Sequence, residues 1–151
     1  MSLKKLSIIF SIALLVFVNS MNVSSAIQVS YSPKVDSALI KSIDYLNNNM
    51  YLLVKSISSD NFDSNQVKNE INFLNSLISE LNKNSSELPK DLNGIIATIQ
   101  AITSFYNLSL VKAEDYVDSK DANDLIETIS AFSVGYNASL SLKEFILKAG
   151  K

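Results

Sequence analysis

Residues 34–58, KVDSALIKSIDYLNNNMYLLVKSIS, decide the fold. Val35, Leu39, Ile43, Leu46, Met50, Leu53 and Ile57 recur at steps of 4, 4, 3, 4, 3 and 4. A period near 3.6 residues puts such a set on one face, so the stretch predicts an amphipathic α-helix. Lys34, Lys41, Asn48 and Lys55 fall between the apolar positions.

The same rhythm returns towards the C-terminus. Asp63 is placed to cap a second helix, with Gln66 three residues on as in a capping box. Phe62 and Val67 flank that cap as a hydrophobic staple would. Val67, Ile71, Leu74, Ile78 and Leu81 then keep the 4-3-4-3 spacing, and Lys83 suits the last turn. Pro89 fits the first turn of a third helix. Its apolar face is Leu92, Ile95, Ile99, Ile102, Tyr106, Ser109, Ala113 and Tyr116, widened by Ile96, Thr103, Leu110 and Val117. Ser119 or Asp121 can cap a fourth helix. Its expected core face is Leu125, Ile129, Phe132, Tyr136, Leu140 and Leu147, broadened by Ile126, Phe145 and Ile146.

Helix breakers are sparse. The whole chain has Pro33 and Pro89, and Gly94, Gly135 and Gly150. Four helices are therefore expected near 34–58, 64–83, 89–117 and 121–149. Short connections and near-heptad spacing predict an all-α, up-down-up-down antiparallel four-helix bundle over 34–151. The alternative is two helical hairpins that complete their core in a dimer. Residues 27–33 read as a short extended arm.

The first 26 residues read as a signal peptide. Lys4 and Lys5 precede the uncharged run Leu6–Val18, and Ser24-Ser25-Ala26 offers small residues to a signal peptidase. Cleavage is expected after about Ala26. An uncleaved anchor is the alternative, but the 13 residues of that run cover only ~20 Å of a ~30 Å hydrocarbon core. The reading is thus a secreted or cell-surface protein, with membrane contact only if the signal stays attached.

Composition narrows the chemistry. The 151 residues include 13 Lys but no Arg, His, Cys or Trp. That alphabet removes His- or Cys-based nucleophiles, the usual zinc ligands, guanidinium clamps and disulfides. No cofactor is expected. The carboxylates fall on polar helix faces, where nothing would raise a pKa for acid–base work, so the chain is read as non-enzymatic. The formal charge of −2 becomes more negative once Lys4 and Lys5 leave, which argues against nucleic acid as a partner. The polar surface draws on 25 Ser and 16 Asn.

Three sets of residues are candidates for a site. Glu114, Asp115, Asp118, Asp121, Asp124 and Glu127 form the densest acidic run. Of these, Asp118, Asp121 and Asp124 are the candidates for a hard cation, although no calcium-loop pattern is present. Solvated caps are the simpler reading. Tyr106, Phe132 and Tyr136 are candidates for lining an apolar ligand between helices 3 and 4, against ordinary core packing. Gly135 beside them would let a helix or a ligand come close. Asn84, Asn107 and Asn137 are N-glycosylation candidates, each followed by Ser two residues on, as is Asn22 within the signal. Four such triplets are no more than this composition yields by chance.

The preferred functional reading is a non-catalytic interaction or structural protein that self-associates or binds a protein partner, through the broad apolar face of helix 4. The alternative is an extracellular carrier of a lipid or other apolar small molecule. A membrane-active toxin or effector is a further alternative, weakened by the acidic balance.

Overall fold

A computed structural model describes residues 33–59 and 61–149. The predicted signal (1–26) and the arm as far as residue 32 lie outside the described residues. Among those described, the chain is helical without a strand: α1 (Pro33–Ile57), α2 (Ser64–Ser86), α3 (Asn93–Ser119) and α4 (Ala122–Ala149), with a single 3-10 turn at Lys90–Leu92. Pro33, read as the last arm residue, instead opens α1, where its missing N–H leaves no intrahelical bond unmade.

Each helix packs on its chain neighbours, and α1 closes against α4. Paired residues give the directions. Asn47 meets Ser139 and Asp44 meets Lys143, so α1 and α4 run antiparallel. Lys68 with Asp118 and Asn82 with Thr103 do the same for α2 and α3. Ser109 with Thr128 and Tyr106 with Phe132 do so for α3 and α4.

The ends of the helices follow local chemistry. Asp63 caps α2 as expected, accepting from the amides of Asn65 (2.8 Å) and Gln66 (3.1 Å). The Gln66 side chain does not close the capping box; its Nε2 donates to Glu70 at 2.9 Å. α2 runs past Lys83 to Ser86, and the Ser85 and Ser86 hydroxyls bond the carbonyls of Asn82 and Lys83. Pro89 stands before the 3-10 turn and does not enter α3. α3 continues to Ser119 and is closed by Lys120 in the left-handed region (φ 57°), its N–H on the Tyr116 carbonyl at 2.8 Å. For a residue with a Cβ this conformation costs ~1–2 kcal/mol. A compensating contact is present: the Lys120 ammonium sits 3.6 Å from the centroid of the Phe62 ring, an arrangement worth ~0.5–1 kcal/mol near the surface. Phe62, expected as a staple, thus lies against the C-terminal end of α3, with Tyr116 at 5.9 Å.

The apolar faces read for α1, α2 and most of α3 form the core. Leu39, Ile43, Leu46, Met50, Leu53 and Ile57 are buried, as are Val67, Ile71, Leu74, Ile78 and Leu81. Leu92 of the 3-10 turn and Ile95, Ile99, Ile102, Tyr106, Ser109 and Ala113 of α3 are buried, together with Thr103, Leu110 and Val117, while Ile96 and Tyr116 are half-buried.

α4 corrects the sequence reading. Of the expected face Phe132 and Ile146 are buried, and Leu125, Ile126, Tyr136 and Phe145 are partly so. Ile129, Leu140 and Leu147 are 38%, 42% and 52% exposed. Beside Phe132 and Ile146 the helix also turns Leu142 and the small residues Thr128, Ala131, Gly135 and Ser139 inward. Close approach is the reason. The Tyr106 ring lies over Gly135, and a Cβ there would sit 2.7 Å from ring carbons Cδ1 and Cε1 and 3.4 Å from the Ile102 carbonyl. Ser109 Oγ reaches across to donate to the Thr128 carbonyl at 2.9 Å. Only small side chains permit such spacing.

Gly135→Ala tests this contact. Overpacking costs ~1–3 kcal/mol, more than the ~1 kcal/mol by which Ala favours a helix over Gly. The variant is expected to melt at a lower temperature in circular dichroism. A variant that melts higher would show that α3 and α4 are further apart than described.

Candidate functional site

The acidic run divides between a helix cap and two lysines, with Asp115, Asp124 and Glu127 gathered around Lys112. Asp118 pairs with Lys68 of α2 at 2.8 Å. Asp121 accepts from the backbone and side-chain amides of Asn123, at 2.9 and 2.8 Å, and so caps α4. Asp124 accepts from Ser119 Oγ at 2.9 Å and lies 3.6 Å from Lys112. Lys112 also pairs with Asp115 and Glu127, both at 3.2 Å. The hydrogen bonds to Asp115 and Glu127 raise the Lys112 pKa, and that to Asp118 raises the Lys68 pKa, so both lysines stay charged opposite the acids. Among the described residues no group of three acidic or other ligating side chains is placed to hold a metal ion.

The three aromatic candidates do come together. Tyr106 stacks on Phe132 with centroids 6.1 Å apart and 19° between planes, and Phe132 meets Tyr136 at 5.5 Å. Tyr106 is fully buried, and its ring fills the notch at Gly135. The approach that Gly135 permits is therefore made by another helix.

The Tyr106 hydroxyl has a partner that the sequence reading missed. It donates to Asn47 Oδ1 at 2.5 Å. Asn47, itself buried, donates from Nδ2 to Ser139 Oγ at 2.7 Å, and Ser139 donates to the Tyr136 carbonyl at 2.7 Å. This relay ties α3 to α1 and α1 to α4 through the core. Asn47 stands in an Asn-Asn-Asn run beside the apolar stripe, where nothing in the sequence separates it from its solvated neighbours. On the α1–α4 seam the Lys143 ammonium adds a bond to each Asp44 oxygen at 2.8 Å.

Other surfaces are available to a ligand or partner. A half-open groove of about 340 Å³ lies between α1 and α2, lined by Lys41, Ser42, Tyr45, Leu77, Glu80, Leu81 and Asn84. Tyr45 and Phe73 meet edge to face on the same side of the molecule, 6.4 Å apart. Asn84, Asn107 and Asn137 are all exposed, and Asn137 Nδ2 donates back to the Ser133 carbonyl at 2.8 Å. Within Lys90–Ser119 an 18-residue window is long and apolar enough to cross a membrane, with mean hydropathy 1.4. Here its apolar side is the bundle core, with Ile95, Ile99, Ile102 and Tyr106 buried against the other helices.

The relay gives a mutational prediction. Tyr106→Phe leaves Asn47 Oδ1 buried without its donor and is expected to cost ~1–3 kcal/mol. Adding Asn47→Leu removes the orphaned group, so denaturant melts of the double variant should show less than the summed loss. Simple additivity would mean the two residues are not coupled.

Alkali gives a second one. Burial pushes the Tyr106 phenol well above its ordinary value. The unfolded state then loses its proton near pH ~10 while the folded state keeps it, so the unfolded state binds fewer protons and stability falls as pH rises further. Tyr106→Phe should flatten this alkaline fall; an unchanged slope would assign it to other groups. Comparison of the chain with protein-family models, with curated proteins and with solved structures returns no match.

Proposed function

We propose that this is an exported, non-catalytic interaction protein. In this reading residues 1–26 direct export and are removed. The remainder works as a free-standing up-down-up-down bundle that presents a helix flank to a protein partner or to another copy. One observation carries the reading. α4 turns Thr128, Ala131, Gly135 and Ser139 inward beside Phe132, Leu142 and Ile146, and leaves Ile129, Leu140 and Leu147 outside, at helical spacing on one flank. Large apolar residues in a contiguous line mark contact surfaces, whereas scattered single ones are ordinary. The alphabet adds support: with no His, Cys or Arg, the recurrent catalytic constellations cannot be assembled.

A second reading, carriage of an apolar small molecule, is favoured by the α1–α2 groove. Its volume falls at the lower end of the ~300–1,000 Å³ of small-molecule pockets, and Tyr45, Leu77 and Leu81 give it apolar walls.

The test uses the chain recovered from the medium of the cell that makes it. N-terminal sequencing is expected to begin near Ile27. Chemical cross-linking with mass spectrometry is expected to place cross-links near α4. The substitutions Leu140→Ser and Leu147→Ser should abolish these and leave the melting temperature within a few degrees, since surface changes stay within about ±0.5 kcal/mol. An intact residue 1 in a membrane fraction would overturn the export reading. Native mass spectra showing a single copy with a retained small molecule would favour the carrier.

A further inference from the structure

The chain contains a single Asn-Gly pair, Asn93–Gly94, and the fold puts it at the corner where the 3-10 turn passes into α3. Asn93 is exposed and Gly94 half-buried, while Leu92 and Ile95 on either side are buried in the core. Asn93 is the first residue of α3 (φ −51°, ψ −34°), and Leu92 before it makes no side-chain cap. The first turn of α3 holds no acidic residue.

We propose that Asn93–Gly94 is a site of spontaneous covalent modification, at which the Asn93 amide is lost through a cyclic imide to give aspartate and isoaspartate. The inference needs only water as co-reactant and is independent of the export and interaction readings.

The Gly94 nitrogen attacks Asn93 Cγ and closes a five-membered imide ring. The bond from Cγ to the side-chain nitrogen breaks, and ammonia leaves with the proton that Gly94 gave up. Water then opens the ring. Attack at Cγ restores the ordinary main chain with aspartate at 93. Attack at the main-chain carbonyl leaves the chain routed through Cβ, as isoaspartate.

Two features of the fold admit this reaction. Gly94 has no side chain to crowd the approach of its nitrogen. The helical ψ of Asn93 must also rotate, so the ring closes when the first turn opens, and helix ends open ahead of interiors. The first amides of an α-helix have no partner in its own ladder, and here no side chain caps them. α2 supplies the contrast. Asn65 also stands in a first turn, but Gln66 follows it, and the Asp63 carboxylate holds the amides of both.

The two products act differently on α3. Aspartate places a negative charge at a helix start that lacks one, which the helix dipole favours; Lys90 and Asp91 in the preceding turn offset each other. Isoaspartate adds one carbon to the main chain between Leu92 and Ile95. Both of those residues are fixed in the core, so the corner and α3 cannot both keep their places.

The test incubates the full chain, folded and at neutral pH, beside the same chain in denaturant, and follows each Asn by peptide mapping with mass spectrometry. Residue 93 of the folded chain is expected to turn acidic ahead of every other Asn, Asn65 included. Gly94→Ala fits the backbone, because no described glycine has a positive φ. It is expected to slow the conversion by about fivefold or more, since Ala firms the turn and its methyl crowds the attack. Asn93→Asp should melt a few degrees above the unmodified chain, and the isoaspartate fraction, separated by chromatography, should melt below it. A folded chain that keeps Asn93 for as long as the unfolded chain takes to lose it would overturn the proposal, as would Asn65 converting first. Aged fractions that melt like the original would overturn the effect assigned to α3.

Discussion

The contact between the Tyr106 ring and the backbone of Gly135 constrains the rest of the molecule. A flat ring laid across a helix requires a residue without a Cβ beneath it, and the 2.7 Å that an added Cβ would face leaves no room for exchange. Where α3 and α4 meet there, several neighbouring inward positions are small, and Phe132 and Leu142 fill the space beside them. Thr128, Ala131 and Ser139 are the small ones on α4, and Ser109 and Ala113 those on α3. Packing at this spacing gains dispersion from many atom pairs, each individually weak. It also rotates α4 about its own axis, and this rotation carries Ile129, Leu140 and Leu147 out of the core.

The same contact creates a polar problem that α1 resolves. Burying the tyrosine ring carries its hydroxyl into the interior, where a donor without an acceptor would be costly. Asn47 supplies the acceptor, and its own amide finds Ser139 on α4. Three helices are thus held at one level by hydrogen bonds that a sliding or rotated arrangement would break. Apolar stripes alone tolerate slippage by a turn; a connected buried network does not. Asp44 and Lys143 repeat the register constraint one turn away on the partly exposed seam.

Periodicity made much of this fold legible in the sequence. The faces of α1 and α2 were readable residue by residue, because those helices bury large aliphatics at regular steps and expose polar side chains. The Asp63 cap was readable because its chemistry is local. α4 was readable only in part: Phe132 and Ile146 are buried as their spacing implied, but hydrophobic spacing counts large apolar groups and passes over Thr128, Ala131, Gly135 and Ser139, which share the buried face. Gly135 was the available signal, a lone glycine inside a helical pattern beside an aromatic residue. The acidic run was misleading for a related reason. Its apparent density is a property of chain order, and folding distributes those carboxylates to Lys68, Lys112 and the α4 cap. Asn47 was hidden because its role depends on a tyrosine 59 residues away.

Core packing and the outer flank are therefore coupled on α4. A helix has a fixed circumference, and turning small residues inward pushes large ones towards the surface. In a chain free to evolve only for monomer stability, Ile129, Leu140 and Leu147 could be replaced by Ser or Asn, residues this sequence uses freely elsewhere, at little cost to the core. Exposed positions on the same helix do carry them, as at Ser130 and Asn137. The chain also exposes Leu52, Leu108 and Val111 on other helices, but on α4 the three aliphatic residues are aligned on one flank.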